Sequence, residues 1–133
     1  VNIWAIAAAA VISTVLGFLW YGPLFGKTWI KLTGKTSKQI ENAIKKGMAS
    51  TYILMLIATL VTVCVTGLLI KATNTVDITG GILLGFYIWV GFIATFSLGS
   101  VFWEDKPWSL WILNNGYQLI NFEIIAVILT LWG

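Results

Sequence analysis

Charged side chains are absent from 2–26, 47–70, 78–103 and 107–122 of this 133-residue chain, and these gaps constrain the fold more than any motif does. A helix needs about 20 mainly apolar residues to cross a bilayer core. Four stretches qualify: about 3–21, 48–70, 80–103 and 108–132. They hold many β-branched residues, yet they run too long without polar–apolar alternation to be strands of a membrane barrel. The reading is all-α: an integral membrane four-helix bundle, with residues 1–133 forming one membrane domain.

Composition closes off the soluble alternative. The chain is 59% hydrophobic and 10% charged, whereas soluble domains carry about 25% charged residues. A water-soluble fold this small exposes too much of its surface to hide so much apolar matter. The lipid bilayer is therefore the first expected partner. Histidine is absent, which removes the commonest transition-metal ligand and the usual general base near neutral pH. No pair of acids stands at catalytic spacing within a span, and there is no nucleotide-binding loop. No catalytic residue, metal site or cofactor is expected, and the chain is not read as an enzyme. Glu104 and Asp105 beside Lys106 read as a short solvated turn. Cys64 lies in the middle of an apolar run and is expected to be a small packing residue.

Lysine sets the orientation. Six of the eight lysines fall between Lys27 and Lys46, so the net charge of +3 belongs to one loop rather than to a nucleic-acid surface. The positive-inside rule places this link, 22–47, in the cytoplasm of a bacterial cytoplasmic membrane, with both termini outside. The aromatic residues agree: Trp4 and Trp132 mark the outer ends, and Trp20, Tyr21, Trp29, Trp103, Trp108 and Trp111 the inner ends, where amphipathic rings sit at the headgroups. Only Trp89 is mid-span. The first run lacks a basic leader and ends in the bulky WYGPLF, so it is read as a retained span and not a cleaved signal peptide.

At the exit of the first span, Gly22 and Pro23 are expected to end the helix, leaving Phe25, Trp29 and the lysines along the membrane surface. Thr36 to Gln39 (TSKQ) is a candidate capping box. The helix it starts is predicted to run through Lys46 into the second span, about 34 residues and ~50 Å in all, with Gly47 the favoured place for a bend.

Lipid gives helices no hydrophobic reason to associate, so small residues mark the contacts. Ala5, Ala9, Ser13 and Gly17 form one stripe down the first span. The third span has Gly81 and Gly85 on one face and Gly91, Thr95 and Gly99 on another. Two smooth faces predict a central third span that touches two neighbours. Ordinary bundle packing is the favoured reading of such faces, with a dimer interface or a sliding gate as the alternative. A faint echo between Leu16–Trp29 and Leu98–Trp108 suggests two related helical hairpins, and biased sequence explains it about as well.

The fourth span carries Asn114, Asn115, Gln118, Asn121 and Glu123. Asn114, Gln118 and Asn121 fall within about 60° of each other on a helix. Amides in hydrocarbon must find partners, so this face is expected to look into the bundle, towards Ser13, Thr14 or the Thr59, Thr62, Thr66 series. It serves either as interhelical hydrogen bonding, the favoured reading, or as the lining of a polar path. An intramembrane carboxyl is a candidate functional group. No lysine lies at the depth of Glu123, which leaves a protonated acid, a contact to a partner subunit or a position shallow enough to reach water. The expectation is a neutral, hydrogen-bonded carboxyl, with an oligomer interface as one place for it.

The segments WYGPLFGKTW, GGILLGFYIWVGFIAT and WILNNGYQL resemble a family of small, mainly bacterial, four-span membrane proteins catalogued as domain of unknown function 1761. The resemblance covers nearly the whole chain. It implies the four-span fold and carries no activity. Members of that family often have His where this chain has Gln118, and an apolar residue near Glu123. A role for that His does not transfer, and Glu123 is a departure from the pattern. The functional expectation is a scaffold or accessory subunit working through helix–helix contacts, as a homo-oligomer or within a larger membrane complex. The alternative is an oligomeric transporter or channel for a proton or small solute.

Overall fold

The computed structural model describes residues 2–45 and 49–132, and they are organised almost entirely as helices. Four are long and apolar enough to cross a membrane. Span one covers Ile3–Leu24, span two Ala49–Ala72, span three Ile78–Phe102 and span four Trp108–Trp132. Two short helices, Gly26–Thr33 and Ser37–Lys45, occupy the lysine-rich link.

Local chemistry sets the ends. The Asn2 side chain accepts from the Trp4 amide (2.9 Å) and Asp77 from the Gly80 amide (2.8 Å), each satisfying a donor that the first helical turn leaves open. The capping box is reciprocal: the Thr36 amide donates to Gln39 Oε1 (2.9 Å), and the Gln39 amide to Thr36 Oγ1 (3.2 Å). The helix Gly26–Thr33 stops at Gly34, whose φ of 71° suits a residue without a Cβ. The expected bend at Gly47, and the continuity of a long helix through it, lie outside the described residues.

The regular α-helix of span one runs Ile3–Leu19, and Gly22, at φ −112°, ψ −105°, is non-helical and breaks it where Gly22 and Pro23 were expected to do so. The backbone around this break, Trp20–Leu24, is wound more widely, as a π turn, and the chain turns at Phe25. Pro23 lacks a backbone donor, and the wider turn accommodates that loss. Span three also contains a π turn, Trp89–Ala94. The two π turns fall at different registers of the echo read in the sequence, so it has no counterpart in the helix geometry.

Span four, not span three, is the centre. It packs against each of the other three spans, while span three rests mainly on span four. Its neighbours enclose Leu110, Leu113, Phe122, Ile125, Ala126 and Leu129. The physical reason is the amide content: the span with most polar side chains finds most partners when surrounded by protein. The small-residue stripe of span one does pack inside. Ala5, Ala9 and Ala10 join Val63, Ile70, Ile125 and Leu129 in one buried cluster of spans one, two and four. Cys64 is exposed on the outward face of span two. It therefore does not pack inside the protomer as expected.

Candidate functional site

The kink at Gly22 presents two aromatic residues to span four. Trp20 Nε1 donates to the carbonyl of Leu113 (3.1 Å), and Tyr21 Oη donates to Asn114 Oδ1 (2.7 Å). Both residues were expected as headgroup anchors, yet both are half-buried struts between spans one and four. From the other side, Trp89 Nε1 donates to the Asn115 carbonyl (2.8 Å) and Ser97 Oγ to Asn115 Oδ1 (2.8 Å). Asn115 Nδ2 donates to the Trp111 carbonyl (2.9 Å), so this buried amide is engaged at both ends.

Between these two sets of struts lies a cleft of about 510 Å³. Tyr21 and Trp29 form one wall, Ile93, Ser97 and Ser100 of span three another. Trp111, Asn114, Asn115 and Gln118 of span four make up the rest. None of these residues is charged. The lining stops at Gln118. One turn further along span four, Ser13 Oγ donates to Asn121 Oδ1 (2.5 Å), joining spans one and four. The Tyr117 hydroxyl lies 3.2 Å from where a Cβ on Gly17 would stand, so a side chain there would crowd it. Tyr117 also meets the Tyr21 ring edge-on at 5.3 Å.

The polar residues of span four thus divide. Asn114 and Gln118 face the cleft, Asn121 closes on Ser13, and Asn115 ties span four to span three. Of the partners expected across from them, Ser13 is used. Thr14, Thr59, Thr62 and Thr66 instead donate to carbonyls of their own helices, as threonine in an apolar helix readily does. Glu123 departs from expectation. Both carboxyl oxygens are buried and without a hydrogen-bond partner among the described residues. Its Oε1 is 3.1 Å from a Cβ built on Gly85, so the carboxyl is packed between spans three and four and not displayed at an outer face.

The glycines of span three also separate. A Cβ on Gly81 would meet Thr130 Oγ1 at 2.8 Å, and one on Gly85 the Phe122 carbonyl at 3.1 Å. A Cβ on Gly91 would meet nothing within 4 Å, and one on Gly99 only the edge of Trp103. Among the described residues, Gly91 and Gly99 therefore make no contact with a second neighbouring span. Trp103 is exposed, while Trp108 stacks edge-on with Phe102 and Trp111. Trp29 carries the Lys35 ammonium 4.9 Å from its ring centre.

Ser97, Ser100 and Trp111 were not picked out as site residues. Ser97 and Ser100 stand three apart, one face of a helix. That is the signal available in the sequence. The indole N–H of Trp111 is buried without a partner among the described residues.

No curated protein and no solved structure matches the chain. The kinked aromatic exit of span one, Trp89 and Ile93 of span three and the Asn-rich start of span four, whose segments carried the resemblance, help to build this cleft and its supports. A family model covers them all: matched over residues 4–130, the chain belongs to the family described as Protein of unknown function (DUF1761).

Proposed function

We propose that the protein is a non-enzymatic scaffold or accessory subunit of the bacterial cytoplasmic membrane, working through helix–helix contacts with a second copy of itself. One observation carries this reading: a Cβ at Gly91 of span three would meet nothing among the described residues, whereas the Gly81 and Gly85 face is filled. Glycine lets backbones approach closely in lipid, where packing and not hydrophobicity drives association. Phe92 and Phe96, 75% and 86% exposed, flank the open face and would clasp a facing helix. Thr95 spends its hydroxyl on the Gly91 carbonyl, which keeps the surface apolar.

Disulfide trapping in native membranes tests this. With Cys64 replaced by alanine, a cysteine at Thr95 should yield cross-linked dimers, and Gly91→Leu should abolish them. Monomer alone at every position along this face would reject the assembly. The same reading puts the link 22–47 in the cytoplasm and both termini outside, because lysine is concentrated there. A cysteine at Lys38 should be reached by impermeant thiol reagents only from the cytoplasmic side.

A second reading, an oligomeric transporter for a small solute, draws on the cleft. Its lining reaches about three turns into span four and then gives way to the paired Asn121 and Ser13. In this reading the Ser13–Asn121 pair is the barrier that opens. Flux into proteoliposomes tests it.

A further inference from the structure

We propose that the cleft between spans one, three and four binds a neutral, flat ring bearing carbonyl oxygens. This goes beyond assembly through span three and does not depend on it, since Gly91 is not among the residues lining the cleft.

Size comes first. A cleft of about 510 Å³ lies in the range of small-molecule sites, about 300–1,000 Å³. Three aromatic side chains, Tyr21, Trp29 and Trp111, stand in its walls. Rings of this kind favour flat partners, stacked or edge-on.

Charge comes next. Among the described residues no carboxylate lines the cleft, and a cation held there without a counter-charge pays heavily for desolvation. An organic cation is disfavoured a second time. The Lys35 ammonium already occupies a position over Trp29, 4.9 Å from the ring centre, so a second cation on that indole would meet like charge.

The hydrogen-bonding groups decide the rest. Tyr21 Oη donates to Asn114 Oδ1, which leaves the amide nitrogen without a partner among the described residues. The Gln118 amide has no hydrogen bond to any described residue and lines the cleft. The remaining polar groups are committed. Asn115 is engaged at both ends, Ser97 donates to Asn115, and Ser100 donates to the Ser97 carbonyl. Hydroxyl and amide oxygens of the lining keep lone pairs, while the uncommitted hydrogens are N–H: two on Asn114 Nδ2 and two on Gln118 Nε2. The unpartnered indole N–H of Trp111 stands in the same wall. Uncharged N–H donors of this kind are complementary to carbonyl oxygen and not to an ammonium, which has no acceptor.

Such a ring can come from the membrane, as a quinone, or from the aqueous phase, as a pyrimidine-like heterocycle. Calorimetric titration of the protein in lipid nanodiscs, with empty nanodiscs subtracted, distinguishes the two. The probes are ubiquinone-1 and uracil, with toluene, benzoate and benzyltrimethylammonium as comparisons. Saturable binding of ubiquinone-1 or of uracil, with none of the three comparisons, is the expected result, and whichever binds names the source. Gln118→Leu removes the free amide, and Asn114→Asp keeps an acceptor for Tyr21 while removing the donors. Each should weaken binding by about three- to tenfold, with the melting temperature of Gln118→Leu unchanged because that amide supports nothing else. Toluene binding as well as the carbonyl probes, preference for either ion, no saturable binding, or affinity indifferent to both substitutions would each overturn the proposal.

Discussion

The Tyr21 hydroxyl donates to Asn114 Oδ1 at 2.7 Å, a bond that joins the kink of span one to the first turns of span four across most of the chain. It both holds the wall of the cleft and orients the amide in it. Tyr21→Phe keeps the ring and deletes the bond. Polar contacts between membrane helices contribute roughly 0.6–1.7 kcal/mol. The substitution should lower unfolding stability in micelles by about that amount, and free the Asn114 amide to rotate. A stability equal to the parent's would mean the bond is not formed in lipid.

The Ser13–Asn121 bond (2.5 Å) is a separate strut further along span four. Ser13→Ala, Asn121→Leu and the double variant form a thermodynamic cycle. Its coupling term should fall between about 0.5 and 1.7 kcal/mol. A coupling near zero would show that the hydroxyl bonds its own helix instead, as Thr14 does with Ala10.

Gly85 and Gly91 differ sharply in what surrounds them. A Cβ on Gly85 meets the Phe122 carbonyl at 3.1 Å, and backbone cannot move aside cheaply, whereas Gly91 is open. Gly85→Leu should cost about 1–3 kcal/mol through overpacking. Gly91→Leu should leave protomer stability within ~0.5 kcal/mol. Thermal unfolding of the two variants side by side measures the contrast.

Glu123 holds two carboxyl oxygens that are buried and unpartnered among the described residues. An orphaned buried polar group costs roughly 1–3 kcal/mol. Glu123→Leu, close in volume and free of that cost, should raise the unfolding temperature. A stabilised protein with altered behaviour in cells would mark the carboxyl as retained for function at the expense of stability. A destabilised one would show that a partner satisfies it in the membrane.

Cys64 faces outward on span two, far along an apolar surface. In native membranes it should react with an apolar, membrane-soluble maleimide and resist a sulfonated one. Equal labelling by both would place that face against water and contradict the four-span reading.

Much of the architecture was legible because its cause is local. Charge-free runs of span length, the capping box at Thr36–Gln39 and the Ala5–Ala9–Ser13 stripe follow from composition and helical spacing, and each stands in the fold. The amides of span four announced that they would need partners. Which partners was not legible. Thr62 and Ser13 look alike in a list of polar residues, but a threonine can satisfy itself on its own carbonyl, and Ser13 lies opposite Asn121.

Sequence by itself determined that lipid surrounds four helices, because hydrophobic length and charge placement act along the chain and need no knowledge of neighbours. Tertiary structure alone decided that span four is the hub, that the Gly22 kink turns Trp20 and Tyr21 inward, and that Gly85 seals the Glu123 carboxyl while Gly91 stays open. The reason is that helices in lipid are arranged by close packing and hydrogen-bond satisfaction. Those depend on which faces meet, and spacing within one helix cannot say which face its neighbour will offer.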